Sequence, residues 1–309
     1  MYDLIIIGGG PAGVSAGIYA VRKQLKTAVI ADAFGGQSIV SDEIENWIGI
    51  KSISGLELAK RMEEHLRAQE GIEIYKDKVT EVIKQDETFV VKTAQNQEYE
   101  AKTVLVCSGS NHRRLGVVGE KKFIGKGVAF CSTCDAPLFR NKDVAVIGAG
   151  NVGLESVIDL ASYANKIYLI ARGDQIRGDQ ATYNNVSRCD KAQIIFNAEV
   201  KEILGDNFVH GLRYIDKTSG EEKEISINGV FVAIGMIPNS GIVKELVMLN
   251  EIGEIIVDPK NGKTSMEGIW AAGDVADTLY QQSNIAAGDA IRAVLNIDAY
   301  LSKSREIKK

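Results

Sequence analysis

Leu4-Ile5-Ile6-Ile7 is a short unbroken apolar run that stops at glycine, and Asp143-Val144-Ala145-Val146-Ile147 repeats the pattern in mid-chain. Short apolar runs bounded by glycine predict strands buried on both faces. Each is followed by a small-residue helix (14–21 and 154–163) and a second apolar strand (27–30 and 166–170). Residues 56–69 place Leu58, Met62 and Leu66 at helical spacing, which predicts an amphipathic helix. From 72 to 106 apolar and polar residues alternate in runs broken by Gln85-Asp86-Glu87 and Gln95-Asn96-Gln97. That predicts a strand and an antiparallel meander, rejoining the main sheet as 103–107 and stopping at Ser108-Gly109. Segments 193–214 and 224–234 predict a second meander, and 285–301 a final helix. The chain reads as α/β, with one strand–helix–strand unit built twice.

The glycines between strand and helix give the repeated unit a chemistry. Gly8-x-Gly10-x-x-Gly13 and Gly148-x-Gly150-x-x-Gly153 each follow a strand and open a helix, the context of a dinucleotide fingerprint. Such glycines let backbone approach a pyrophosphate whose charge sits at the helix N-terminus. Asp32 lies 24 residues beyond Gly8, where an acid can bond a ribose hydroxyl; the same count from Gly148 reaches Arg172. A cation in that slot, with Arg177 close behind, is the change expected where a 2′-phosphate replaces a plain ribose. Near the end, Gly268-Ile269-Trp270-Ala271-Ala272-Gly273-Asp274 predicts a strand ending in a carboxylate, which either holds a cofactor hydroxyl or caps the helix that follows.

Just upstream of the second fingerprint stands Cys131-Ser132-Thr133-Cys134-Asp135. Two thiols at this spacing can close and reopen a disulfide ring, while Asp135 exchanges the proton that a thiol gains or loses. Half a zinc site and a structural disulfide are the alternatives. Zinc needs further N or S ligands, whereas Cys107, Cys189 and the three histidines are scattered singly, and no metal is expected. Cys107 ends an apolar strand and reads as a buried filler, and Cys189 as structural.

With 309 residues, 45% hydrophobic and 25% charged, the chain has room for two cores. A net charge of −5 leaves no electrostatic footprint for nucleic acid or an anionic membrane. No apolar run approaches bilayer-spanning length, and Met1-Tyr2-Asp3 leads straight into a strand pattern instead of a basic signal-peptide start, so a cytoplasmic location is expected.

Taken together, these motifs resemble the low-molecular-weight thioredoxin reductase family, and equally the flavoprotein half of alkyl hydroperoxide reductase without its extra N-terminal thioredoxin-like part. The resemblance runs through Gly8 to Gly13, Phe34-Gly35-Gly36-Gln37, Ile44-Glu45-Asn46, and the stretches 131–138, 148–153 and 271–283. It implies two Rossmann-like domains of three-layer ββα build, the second inserted into the first. An FAD domain would comprise 1–114 and 245–309, and an NAD(P)H domain carrying the Cys pair 115–244. Implied FAD contacts are Gly8, Gly10, Gly13, Gln37, Asn46, Asp274, Gln282 and Ser283, beside which Asp32 is expected from its spacing and Gly273 from its place before Asp274; the nicotinamide cofactor is expected on Gly148, Gly150, Gly153, Arg172 and Arg177. In the family Cys134 would face the flavin, Cys131 would attack the partner's disulfide, Asp135 would act as acid and base, and the molecule would be a homodimer.

The implied activity is NADPH-dependent reduction of a thioredoxin or glutaredoxin-like protein. Three departures qualify it. NADPH-using members carry His-Arg-Arg-x-x-x-Arg where this chain has Ala171-Arg172-Gly173-Asp174-Gln175-Ile176-Arg177, which keeps NADH or reduced ferredoxin open as donor. Ala136 stands where relatives often have Gly, and Gln281 where an Arg is common. Remaining alternatives are a peroxide-defence flavoprotein and a flavin redox sensor that does not turn over.

Overall fold

Leu4 and Ile6 of the first strand enter one core and Ile5 and Ile7 another, the outcome of an apolar run covered on both faces. The computed structural model describes residues 1–41 and 43–306. In chain order the first elements are β1 (Tyr2–Gly9), α1 (Pro11–Arg22), β2 (Thr27–Phe34), α2 (Gly55–Arg67), β3 (Ile72–Lys76), β4 (Val79–Gln85), β5 (Thr88–Thr93), β6 (Glu98–Val106) and β7 (Ser110–His112). Then come β8 (Val128–Ala129), α3 (Ser132–Asp135), β9 (Asp143–Ile147), α4 (Asn151–Ala161), β10 (Lys166–Ile170), α5 (Gln180–Ser187), β11 (Ala192–Ile195), β12 (Ala198–Gly205), β13 (Val209–Asp216), β14 (Glu222–Ser226), β15 (Gly229–Val232) and β16 (Met236–Pro238). The chain closes with β17 (Ile269–Ala271) and α6 (Ser283–Glu306).

Two compact units result, one from Met1–Asn111 together with the chain from Ile237 onward, the other from His112–Met236. The first is built on a sheet ordered β3-β2-β1-β6-β5-β4. Its β3, β2, β1 and β6 run parallel, and β6, β5 and β4 form an antiparallel meander. Strand β6 shares its second edge, giving residues 98–101 to β5 and 104–106 to β17, so the returning chain is stitched into the same sheet. Ala16, Ala20, Leu66, Ala293 and Ile297 from α1, α2 and α6 cover one face; Val82, Phe89 and Val91 from the meander cover the other. Small residues on α1 let it approach closely: a Cβ at Gly17 would lie 2.5 Å from Leu66 Cδ1.

In the second unit the five strands β11-β10-β9-β15-β8 are all parallel. Here the meander departs from the expected parallel with the first half, because β12-β13-β14 form a sheet of their own. The break falls at Ile227-Asn228, between β14 and β15, whereas β6 in the first unit runs unbroken from meander to main sheet. Immediately after it, a Cβ at Gly229 would lie 2.1 Å from the Phe139 ring, so the strand enters close under an aromatic. Helix α1 begins at Pro11, earlier than its apolar periodicity suggested, because proline fits the first helical turn. Helix α5 had no apolar stripe to predict it; the Asp179 carboxylate accepts from the Thr182 N–H at 2.8 Å and starts it. Among the described residues no helix is long and apolar enough to cross a membrane.

Candidate functional site

Both fingerprints fold by the same collisions. Gly8 has φ +120°, and a Cβ there would lie 2.2 Å from the Cys107 carbonyl oxygen; one on Gly13 would lie 1.9 Å from the Gly8 carbonyl oxygen. Gly148 has φ +125° and would meet the Ala233 carbonyl oxygen at 2.2 Å, and Gly153 the Gly148 carbonyl oxygen at 1.8 Å. The middle glycines differ from these in facing open space: nothing lies within 4 Å of a Cβ built on Gly150, and the nearest atom to one on Gly10 is 3.7 Å away. Each middle glycine precedes a helix whose first turn carries no acidic residue and, among the described residues, no side-chain cap. Free amide donors beside an open backbone surface are what a pyrophosphate requires. The residues present therefore fit one dinucleotide in each unit.

In the first unit the fingerprint is joined by segments distant in sequence. Gly36, at φ +57°, approaches the fingerprint closely, since a Cβ there would lie 3.3 Å from Gly10 Cα. Gln37 Nε2 donates to the Ser110 carbonyl at 2.9 Å and to Asn111 Oδ1 at 3.2 Å. Asn46 Nδ2 donates to Gln282 Oε1 at 3.4 Å, Asn284 Nδ2 to the Asn46 carbonyl at 2.7 Å, and the Ser38 and Ser283 hydroxyls meet at 3.3 Å. Gly273 at φ +75° packs its α-carbon against Ala12 and Ala286, where a Cβ would lie 3.3 and 3.2 Å from their side chains. Asp32 sits exposed in β2 and takes only its neighbour's N–H, from Ala33 at 3.0 Å, among the bonds described.

Asp274 does not cap α6, which starts nine residues later at Ser283. It is half-buried, and burial, together with the neighbouring Glu254 carboxylate, raises its carboxyl above the usual carboxylate range. The folded chain thus holds this proton more tightly than the unfolded chain does. The resulting stabilisation is present below the ordinary Asp range and is lost as pH rises through the raised value. Asp274→Asn is therefore expected to raise the melting temperature of the protein at neutral pH. An unchanged or lowered melting temperature would contradict the assignment of strain to this carboxylate.

In the second unit Arg172 is exposed just past the end of β10, and the loop after it folds back so that the Arg177 N–H donates to the Ala149 carbonyl at 2.9 Å. That bond brings the Arg177 backbone to the fingerprint. Asn151 Oδ1 accepts the Asp179 N–H at 2.7 Å and closes the same loop, while Lys217 Nζ donates to the Arg172 carbonyl at 3.4 Å.

Cys131 and Cys134 are joined by a disulfide with Cα atoms 5.3 Å apart, a pairing that sets aside metal ligation by these two sulfurs in this state. Cys134 is exposed and Cys131 half-buried, and the Cys134 N–H points at Cys131 Sγ from 3.2 Å. Asp135 ends the short helix α3 within this turn. Before it, the Phe130 ring stacks on His112, 4.9 Å between centroids, and has the Arg114 guanidinium 4.4 Å from its centroid. Burial first and Arg114 second pull the His112 imidazole down to about 4, so at neutral pH these three side chains hold one cation and not two. Cys107 is buried beneath the first fingerprint, and burial raises its thiol.

One partner of the disulfide turn escaped the sequence reading. Asp159, on α4, accepts from Ser132 Oγ at 2.8 Å and from Thr133 Oγ1 at 3.1 Å with the same oxygen. No spacing rule links residues 26 and 27 apart, although two hydroxyls between the cysteines were a cue that something polar anchors the turn.

A family model described as pyridine nucleotide-disulphide oxidoreductase matches residues 2–290. The chain belongs to this family. It is 36% identical to a thioredoxin reductase from Streptococcus pyogenes, with TM-score 0.92 over 98% of this chain and 99% of that one. A thioredoxin reductase from Giardia duodenalis is 30% identical, with TM-score 0.91 over 97% and 99%. Among curated relatives, an alkyl hydroperoxide reductase component of Staphylococcus aureus is 40% identical over 303 residues, 98% of this chain and 60% of that protein. A Bacillus subtilis protein named NADH dehydrogenase is 39% identical over 98% of this chain and 59% of its own length. The chain thus spans about three fifths of the length of the curated relatives it matches. It has the two-domain FAD- and NAD(P)-binding Rossmann-like fold of a thioredoxin reductase-like flavoprotein.

Proposed function

We propose that the protein is a flavin-dependent disulfide reductase that draws electrons from NADPH and delivers them through Cys131 and Cys134 to a thioredoxin-like protein disulfide. The observation that carries this reading is the closed Cys131–Cys134 ring with one sulfur-bearing residue exposed, in the unit that holds the second fingerprint. FAD would be held in the first unit by Gly8, Gly10, Gly13, Asp32, Gln37, Asn46, Gly273, Asp274, Gln282 and Ser283. Pyridine nucleotide would lie on Gly148, Gly150 and Gly153, its 2′-phosphate met by Arg172 and Arg177. When bound, FAD supplies hydride acceptance and electron-pair delivery, which side chains alone do not.

The protein's own residues carry the exchange. Cys131 thiolate attacks one sulfur of the partner's disulfide, forming a mixed disulfide and releasing the partner's other sulfur as a thiolate. Cys134 thiolate then attacks Cys131 Sγ, which re-forms the ring and frees the partner's second thiolate. Asp135 gives and takes the protons. The Cys134 N–H supports this order, because a donor aimed at Cys131 Sγ favours negative charge there. A homodimer working in the cytoplasm belongs to the same proposal.

The 40% identity to an alkyl hydroperoxide reductase component favours a second reading, a peroxide-defence flavoprotein fed by NADH and serving a glutaredoxin-like carrier. Stopped-flow bleaching of the flavin by NADPH, NADH and reduced ferredoxin separates the readings. Fastest bleaching by NADPH with sustained consumption once a thioredoxin is added supports the first, and a preference for NADH the second. Bleaching by ferredoxin alone, or no turnover with any protein disulfide, overturns both.

Replacing Arg172 and Arg177 together by alanine tests the donor. Hydrogen bonds to charged groups contribute about 1.5–3 kcal/mol, so kcat/KM for NADPH is expected to fall roughly 10²-fold while that for NADH stays within about threefold. Equal losses with both donors would remove the 2′-phosphate from these side chains.

A further inference from the structure

Asp159 sits half-buried on α4, the helix that the second fingerprint opens, and one of its oxygens accepts hydrogen bonds from both residues between the cysteines. Those hydroxyls are the side-chain donors nearest in sequence to the two sulfurs. A Ser or Thr hydroxyl rotates freely about its Cβ–O bond and donates to the strongest acceptor within reach. In the disulfide state a carboxylate is a far stronger acceptor than either sulfur. Once the ring opens, a thiolate becomes a competitor, and a hydroxyl turned toward it would stabilise the reduced pair. Asp159 holds both hydroxyls away.

We propose that Asp159 is a positioning residue of the dithiol. By engaging Ser132 and Thr133 it withholds their hydroxyls from Cys131 and Cys134, disfavours the open dithiol, and so makes the pair a stronger reductant. This rests on the reading of Cys131 and Cys134 as an electron-carrying pair, but not on the identity of donor or partner. The equilibrium concerned is protein disulfide plus two glutathione thiols giving protein dithiol plus glutathione disulfide. The electron pair comes from the two glutathione sulfurs, and their two protons pass to Cys131 and Cys134.

The test uses the full-length protein in anaerobic glutathione buffers of graded ratio, quenched with acid, alkylated and weighed, with no nicotinamide or thioredoxin present. Asp159→Ala is expected to shift the equilibrium about tenfold toward the dithiol, equivalent to about 30 mV for a two-electron couple. Asp159→Asn, which keeps an oxygen acceptor for both hydroxyls, is expected to stay within about threefold of the native protein. In a Ser132→Ala/Thr133→Val background Asp159→Ala should lose its effect. A native-like equilibrium for Asp159→Ala, a shift toward the disulfide, or a full shift persisting without the hydroxyls would overturn the proposal. Should Asp159→Ala fail to fold, Asp159→Leu, which likewise offers the hydroxyls no acceptor, takes its place with the same expected shift and the same overturning results. The expected shifts among the variants, found in a protein that reduces no partner, would sink the proposed function and leave this inference standing.

Discussion

Replacing Cys134 with serine is expected to leave a folded, yellow protein that sustains no protein-disulfide reduction. Cys134 is exposed and its side chain packs in no core cluster, so the substitution removes one sulfur at little structural cost. In the proposed exchange it removes the second nucleophile. The remaining Cys131 thiolate can still attack a partner, but the thiolate that would resolve the mixed disulfide is gone. The variant should therefore accumulate as a covalent adduct with an oxidised thioredoxin, detectable by intact mass, whereas Cys131→Ser should form no such adduct. Normal turnover by Cys134→Ser, or adducts formed equally by both variants, would contradict the assigned roles.

Valine at Gly13 is expected to give a colourless protein of lowered melting temperature. The Cβ alone would lie 1.9 Å from the Gly8 carbonyl oxygen, so β1 and α1 must separate where they should meet a pyrophosphate. Overpacking of this kind costs about 1–3 kcal/mol or more, on top of the lost binding surface. Gly153→Val meets the equivalent obstacle, 1.8 Å from the Gly148 carbonyl oxygen, in the other unit. That protein should keep its flavin and lose reduction by pyridine nucleotide. Loss of flavin from Gly153→Val and retention by Gly13→Val would reverse the assignment of the two sites, and gel filtration followed by an absorption spectrum reads the result.

The contrast between these two fingerprints and the rest of the site shows which parts of the molecule the sequence made legible. Gly8, Gly13, Gly148 and Gly153 were readable because backbone approaches within about 2 Å of where a side chain would begin, which only glycine tolerates. The paired strand–helix–strand units followed from apolar runs whose lengths admit few alternatives. Sheet membership of the second meander was not readable, since alternation fixes which face a residue occupies without naming the neighbouring strand. Helix α5 carries mostly polar side chains and was invisible to periodicity. Gln37, Asn46, Gln282 and Ser283 came from resemblance and not from spacing: Asn46 meets Gln282 and Ser38 meets Ser283 across more than two hundred positions, while Gln37 reaches Ser110 and Asn111. Asp159 was out of reach for the same reason: its importance lies in the packing of α3 against α4.

Anaerobic titration of the flavin-loaded protein with dithionite tests the electron path most directly. The native chain is predicted to take up one electron pair more than Cys134→Ser before the flavin is fully bleached, and to gain alkylatable thiols at Cys131 and Cys134 as it does so. A native protein that consumes no more reductant than the variant, with its ring still closed when the flavin is fully reduced, would contradict the account.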